Sequence, residues 1–438
     1  MDFSPSGVDT GLVEELDRRF RSGIALRAAE ADLAGGVPPE SWQEIRDSGY
    51  LRVFHPKEIG GLGVDGVTQA QAMETLARAC SGTYWSATMS TLLCGKLISG
   101  YGDIVEHRRL LDPILSGEKI GAFAVVERTS GSDAGTYRTH VSRAPHGDGW
   151  VINGEKARIT NAPNADIAVV LARFDGDGSG EGDGEGEGPP PAGGAAAETD
   201  PAVSEDWCFA FVDLRQDGVG RYDMPHMGLR AMPWGGVTFE NVPIRREDVV
   251  PVPYTEFAQG MAWGWLFISV AAIATAENAL RETVEHASRQ VAFGRPLAHM
   301  EGVHAQLADA RAEIDAARLL AWRTSWHRTQ GRSVHELIAM LKAHATELAV
   351  RVTQAAVQIH GAWSLGPGHP VERHYRDAPM NVIGGFTSNR LRELIVESYG
   401  MDISTYQDFD WLAPAGLTGA PGDIPATSLA TTTAGAGA

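Results

Sequence analysis

The sequence has few cysteines, few basic residues and none of the short signatures of the commonest chemistries. Its only cysteines, Cys80, Cys94 and Cys208, are far apart and in no CxxC spacing. This excludes a disulfide framework or a thiolate metal knuckle and reads as buried, reduced thiols. There are 37 lysines and arginines against 56 acidic residues, a formal charge of −19. Such a balance argues against nucleic acid or an anionic membrane as the main partner. No HExxH pair, P-loop or GxSxG elbow is present, and no metal site is expected. The most apolar stretch, "WLFISVAAIATA", is about a dozen residues long, too short for a membrane span and suited to a buried helix. The acidic start, "MDFSPSGVDTGLVEEL", has no signal-peptide pattern, so the cytoplasm is the expected location.

What is present is a long chain with three textures. Its 438 residues allow two or three domains. Residues 1–120 carry apolar positions at spacings of three and four, predicting a helical domain. Residues 121–253 hold short runs rich in Val, Ile, Phe and Thr, among them "IGAFAVVE", "DIAVVLARF" and "WCFAFVDL", predicting a β domain. Asn153-Gly154 reads there as a type I′ hairpin turn. Strands with no helices between them suggest an antiparallel barrel or sandwich. Ten acidic and no basic residues fall between Asp175 and Asp206, in a Gly-rich stretch expected to be a disordered surface loop. Its Asp/Gly alternation lacks the calcium-loop spacing. Residues 254–412 return to helical periodicity, with Leu307, Ala310, Ile314, Ala317 and Ala321 on one stripe. "SVHE" at Ser333–Glu336 reads as a capping box. Long amphipathic helices predict a bundle. Residues 413–438, rich in Ala, Gly and Thr, read as a disordered tail.

Four stretches in order carry a family pattern: "SGYLRVFHPKEIGGLG", "AFAVVERTSGSDAGTYRTHV…GWVINGEKARITN", "RQVAFGRPLAHMEGVHAQLADARAEIDAARLL" and "QIHGAWSLGPGHPVERHYRDAPMNVIGGFTSN". Together they resemble the acyl-CoA dehydrogenase superfamily over roughly residues 10–410. The resemblance implies an α+β fold: an N-terminal helical domain, a central antiparallel β-barrel or sandwich, and a C-terminal four-helix bundle. It also implies FAD held between subunits, and therefore a homodimer or homotetramer. Its cofactor-side positions fall on Phe123, Val125, Val126, Ser132, Arg158, Thr160, Arg289, Phe293, Gln358, Gly361, Thr387 and Asn389. A pyrophosphate needs amides, hydroxyls and cations, which the "SGSD" turn at Ser132 supplies. A guanidinium at Arg158 can stack on a flat ring where relatives carry tryptophan. Arg289 is displaced by one residue from the family arginine, a rotation of about 100° on a helix.

The chemistry implied is removal of an α proton by a carboxylate while flavin takes the β hydride. The usual glutamate position is here Gly385, beside Gly384, and the alternative one falls near Gly264. Neither is an acid, so the catalytic base is unassigned. Trp263, Trp265 and Phe267 crowd the same helix and cannot share one face, making Trp263 and Trp265 substrate-pocket candidates with Gly384 and Gly385. Glu127, Glu372 and Asp377 read as structural or surface charges. Three functions stay open. The first is a thioester oxidoreductase (on CoA or a carrier protein) with an altered base. The second is a reduced-flavin monooxygenase or oxidase, and the third a non-redox binding relative.

Overall fold

The computed structural model describes residues 10–131, 136–144, 149–174, 207–252, 254–399 and 401; for residues 254–260 the backbone alone is described. The acidic stretch, the C-terminal tail and Ser132 lie outside these residues. The first region contains α1 (Thr10–Ser22), α2 (Ile24–Ala34), α3 (Pro39–Ser48), α4 (Gly66–Ala79), α5 (Ser81–Thr88), α6 (Lys96–Tyr101) and α7 (Ile104–Leu115). Helix α4 starts where the Asp65 carboxylate accepts the N–H groups of Val67 and Thr68 at 2.8 and 3.0 Å, satisfying donors that a helix start leaves unpaired. Between α5 and α6 the chain widens into a π-helical segment, Met89–Gly95, buried throughout.

The middle region holds β1 (Gly121–Ala124), β2 (His140–Arg143), β3 (Trp150–Thr160), β4 (Ile167–Phe174), β5 (Trp207–Asp213), β6 (Val219–Asp223), β7 (Trp234–Ile244) and β8 (Val249–Pro251). They form one sheet in the order β6-β7-β3-β2-β4-β5-β8, with β1 also on β4. The sheet is mostly antiparallel, but β1 and β2 both run parallel to β4. The apolar runs of β4 and β5 follow from burial on both faces. Ala168, Val170, Ala172, Cys208, Ala210 and Val212 turn into the sheet's own core. Ile167, Val169, Leu171, Trp207, Phe209 and Phe211 turn to the helices. Period-two alternation thus splits one apolar run between two cores.

Two local readings need correction. Asn153-Gly154 is no hairpin turn: β3 runs through it and its register with β7 slips between Ile152 and Gly154. Gly154 has φ +134°, and a Cβ there would lie 2.7 Å from the Thr139 Cα, so glycine serves a bulge and a close approach. The capping box is not formed either, since α10 begins at His335 after Val334 with no side-chain cap.

The last region comprises α8 (Tyr254–Arg289), the two-residue strands β9 (Val291–Ala292) and β10 (Arg295–Pro296), α9 (Glu301–Thr329), α10 (His335–His360), α11 (Pro370–Ile383) and α12 (Ser388–Glu397). Helices α8 and α10 form its central pair, with α9 and α11 against both and α12 on α10. By length and hydropathy α8 passes for a membrane span from Met261 onward, yet 89% of that apolar window is buried inside the protein. It is a core helix. All three cysteines are buried.

Helix α9 is locked to α4 by charge. Glu74, 3% exposed, accepts from the Arg318 Nε at 2.8 Å and the Trp322 Nε1 at 3.1 Å. Substituting Glu74→Ala takes from the buried Arg318 one of its three acidic partners and from the Trp322 indole a carboxylate acceptor, and should cost about 1–3 kcal/mol. Denaturant unfolding measures it; a loss below about 0.5 kcal/mol would show the pair to be no stronger than a surface salt bridge.

Candidate functional site

Distant stretches of the chain converge around the turn that joins α11 to α12. Its glycines are tightly walled. A Cβ on Gly384 would lie 3.3 Å from the Trp85 ring and 3.6 Å from the Ile268 Cδ1. On Gly385, with φ +63°, it would lie 3.0 Å from the Ile268 Cδ1, 3.2 Å from the Trp265 Cδ1 and 3.4 Å from the Met261 Cε. The nearest neighbours of the expected base position are therefore three apolar carbons. Gly264 faces the same wall, its Cβ direction meeting Leu93 and Met261 at 3.9 Å. Leu93 arrives on the π-helical segment, so the widened turn supplies one side of the pocket.

The aromatics on α8 separate as the helical geometry requires. Trp265 is buried, edge-on to Phe386 with ring centres 6.1 Å apart. Phe267 packs on Tyr84 and Trp85 at 5.0 and 4.7 Å. Trp263 points elsewhere, towards Lys96 and Arg328.

Helix α5 ties this wall to the sheet. Next to Trp85, Ser86 donates to the Asn161 Oδ1 at 2.7 Å, and the Asn161 Nδ2 returns bonds to the carbonyls of Ser86 and Gly121, both at 2.9 Å. Asn161 follows Thr160, whose hydroxyl is buried against the Met232 sulfur. Phe123 is buried in β1, and Val125 and Val126 are half-buried just beyond it. Thr160, Phe123 and Val125 thus flank the sheet side of the convergence, while Val126 packs on the sheet's own core.

Lys342 holds the turn from below. This fully buried side chain of α10 reaches the carbonyls of Phe386 at 2.9 Å and Val382 at 3.3 Å. Burial pushes its pKa down to about 7, against a weaker opposite pull from Glu347. Sequence reading missed it. The signal was a lone lysine between Leu341 and Ala343, in a helix whose Leu337, Ile338, Ala339 and Leu341 are all buried.

The carboxylates considered earlier are spoken for. Glu127 accepts the N–H groups of Arg138 and Thr139 and the Lys156 ammonium at 3.1 Å. Burial raises its pKa, but Lys156 and these donors outweigh burial and lower it overall. Asp377 accepts the Leu229 N–H, and burial pushes it up to about 6. The adjacent Arg376 binds Asp32 and Glu372. Arg158 is exposed, with φ +58°, and donates to the carbonyls of Glu127 and Arg128 at 3.1 and 3.3 Å.

The remaining cofactor candidates form two groups. Thr387 and Asn389 are exposed at the start of α12, where Thr387 caps the helix through the Arg390 N–H. Arg289, Phe293, Gln358 and Gly361 stand at the other end of the bundle, all in solvent. Arg289 pairs with Glu285, and Phe293 is 97% exposed on the hairpin after α8. His286 stacks on His360 at 4.1 Å, joining the ends of α8 and α10. From Lys342 to Gly361 the rise along the helix is about 28 Å. One chain therefore presents the two groups far apart. Among the described residues no cluster of three His, Cys, Asp or Glu is arranged to hold a metal.

A helical layer, a mixed sheet and a helical bundle meeting at one apolar wall around Gly385 define the class, and comparison with known proteins makes it specific. The N-terminal, middle and C-terminal domain models of acyl-CoA dehydrogenase match residues 10–118, 122–187 and 257–400. The human short-chain specific acyl-CoA dehydrogenase is 31% identical over 374 residues, 84% of each chain. The 3-(aryl)acrylate reductase of Clostridium sporogenes is 28% identical over 88% of this chain and 97% of its own. Among solved structures, butyryl-CoA dehydrogenase of Megasphaera elsdenii superposes with a TM-score of 0.80 at 24% identity, over 92% of this chain and all of that one. PigA, solved with FAD and proline, gives 0.79 at 21%, over 91% and 99%. The chain belongs to the acyl-CoA dehydrogenase superfamily.

Two outcomes are expected. Gly385→Ala forces a side chain into left-handed backbone against Ile268, and should lose about 1–3 kcal/mol of unfolding free energy. Adding Ile268→Val, which removes the crowding methyl, should return part of it; a double variant no better than additive would show that backbone strain alone is responsible. Lys342 gives a pH signature. Its folded pKa of about 7 lies below the model-compound value of 10.5, so between those pH values the unfolded chain binds the extra proton. Stability from this group rises from pH 7 to 10.5, and is constant below that window. Lys342→Met should flatten that rise relative to the parent; parallel profiles would contradict it.

Proposed function

We propose that the chain is an FAD-dependent oxidoreductase acting on an acyl thioester, of CoA or a carrier protein, without a glutamate at the usual place. The observation that carries this reading is the convergence of β3, α5, the π-helical segment, α8 and the α11–α12 turn on the apolar wall around Gly384 and Gly385. Relatives named acyl-CoA dehydrogenase and acrylate reductase, and neighbours solved with FAD, support it.

The residues fit the cofactor in two respects. Exposed Thr387 and Asn389 at a helix N-terminus suit phosphate. Phe293, 97% exposed, and Trp363, 81% exposed, are aromatic surfaces that a lone chain leaves wet. The two candidate groups, about 28 Å apart along α10, suit a cofactor shared by two copies. We therefore infer a homo-oligomer in which Arg289, Phe293, Gln358 and Gly361 serve the partner's cofactor. FAD, when bound, supplies a hydride acceptor. Met261, Trp265 and Ile268 exclude water from the face near Gly385, Leu93 and Gly264 shape the acyl wall, and Lys342 fixes the turn.

One observation favours a second reading. Apolar carbons fill the space at Gly385, which suits flavin chemistry that needs no carboxylate there, such as reaction of reduced flavin with oxygen. We place the protein in the cytoplasm.

Purified protein should be yellow, with bound FAD. Anaerobic mixing with butyryl-CoA or a longer acyl-CoA should bleach the flavin. Lack of bleaching, together with oxygen uptake on supply of reduced flavin, transfers the assignment to the second reading. A colourless protein that takes up no FAD sinks both and leaves a non-redox binding role.

A further inference from the structure

Most deeply placed cations in this fold have an evident counter-group. Lys156 has Glu127 and the Val125 carbonyl. Lys342 has two carbonyls. Arg318 has Glu74, Glu277 and Asp315, and Arg376 has Asp32 and Glu372. Lys96 and Arg328 break this pattern.

Both converge on Trp263. The Arg328 guanidinium carbon is 3.3 Å from the indole centre, and the Lys96 Nζ is 4.3 Å from it. Neither side chain makes an ion pair or hydrogen bond among the described residues, and the Arg328 Nη1 is fully buried with no partner. His335 lies close enough to feel the Arg328 charge. An indole face attracts a cation but supplies no countercharge. Two like charges held in one half-buried place therefore repel, and each has lost solvent. Burial, and for Lys96 also the Arg328 charge, pushes the pair down to about 8 and about 9. A stable fold has no use for such a pair unless a third group neutralises it.

The geometry points to an anion-binding site at Lys96, Trp263 and Arg328 that takes a carboxylate. The planar fork of arginine matches a carboxylate's two oxygens, lysine adds a point charge, and the indole provides an apolar floor. A carboxylate sheds its water more cheaply than a doubly charged phosphate, which suits this partly buried, apolar-walled place. The site adjoins the apolar wall around Gly385: Trp263 precedes Gly264, and Lys96 follows the π-helical segment that carries Leu93 to Gly264. The carboxylate is either the far end of an acyl chain, which rests on the thioester reading above, or a free small acid.

The test uses the FAD-loaded protein at constant ionic strength. Sodium glutarate should raise the melting temperature above matched chloride, and more than inorganic phosphate does. Arg328→Met and Lys96→Met should abolish that rise, and without glutarate they should melt no lower than the parent. Arg328→Lys should keep part of the response. No glutarate response in the parent, with Arg328→Met melting several degrees lower, overturns the site and makes the stack on Trp263 ordinary packing. A phosphate effect equal to that of glutarate also overturns the carboxylate assignment.

Thioester binding separates the two sources. If the acyl end carries the charge, glutaryl-CoA should bind at least tenfold tighter than butyryl-CoA, and Arg328→Met should erase the preference. Equal binding of the two thioesters with the glutarate response intact assigns the site to a free acid. Failure of both to bind with that response intact overturns the thioester reading and leaves this site standing.

Discussion

The candidate site depends on one tether. Lys342 projects from the middle of the bundle and ends on two carbonyls of the α11–α12 turn. A lysine this deep loses its hydration, and the two hydrogen bonds offset only part of that loss. In return the turn is held at both ends, at Val382 and Phe386, with Gly384 and Gly385 between them. The glycines can then press against Trp85 on α5 and against Trp265 and Ile268 on α8. Since α5 is bonded through Ser86 to Asn161 at the end of β3, one chain of contacts runs from the bundle to the sheet. Helix termini alone would leave this turn free to shift; the buried ammonium fixes it.

Buried charge has two uses in this protein. Glu74 with Arg318, Glu127 with Lys156, and Asp32 with Arg376 are satisfied pairs that join α4 to α9, the segment after β1 to β3, and α2 to α11. In each the cation has at least one carboxylate and asks nothing of a ligand. Lys96 and Arg328 share an indole but, among the described residues, no acid. The same physics that makes the satisfied pairs rigid makes this one receptive. Desolvation weakens the charged state until an outside anion restores it.

Much of the fold was legible because periodicity reports burial. The helical regions announced themselves through spacings of three and four, and Ile314, Ala317 and Ala321 are indeed the buried stripe of α9. The strand region was legible as strand but not as topology. The parallel contacts of β4 are long-range, and an apolar run buried on two faces hides which side meets which core. Asn153-Gly154 misled because glycine with positive φ serves a bulge as well as a turn. Ser333–Glu336 misled because the cap pattern is local while the start of α10 is set by packing around Val334. At the site, the glycines and the aromatics were readable. Lys342, Met261, Ile268 and Lys96 were not, since their roles come from neighbours more than thirty residues away or on other helices.

At Gly385 the structure changes the meaning of the sequence. A missing acid suggests a simple deletion that one substitution could reverse. The geometry says otherwise. Backbone at φ +63° disfavours any side chain, and Ile268, Trp265 and Met261 occupy the volume that a carboxylate would need. A glutamate placed there would enter an apolar wall with no described cation or donor among its three nearest neighbours, so its own pKa would rise and its charge would be lost. The space around Gly385 is thus walled by apolar side chains. On the thioester reading proposed above, proton transfer is organised away from Gly385, by a group free to exchange protons with substrate. The satisfied acids Glu127 and Asp377 are poor candidates for that reason: each already spends its oxygens on backbone N–H groups that would be orphaned if it took up a substrate proton and turned away.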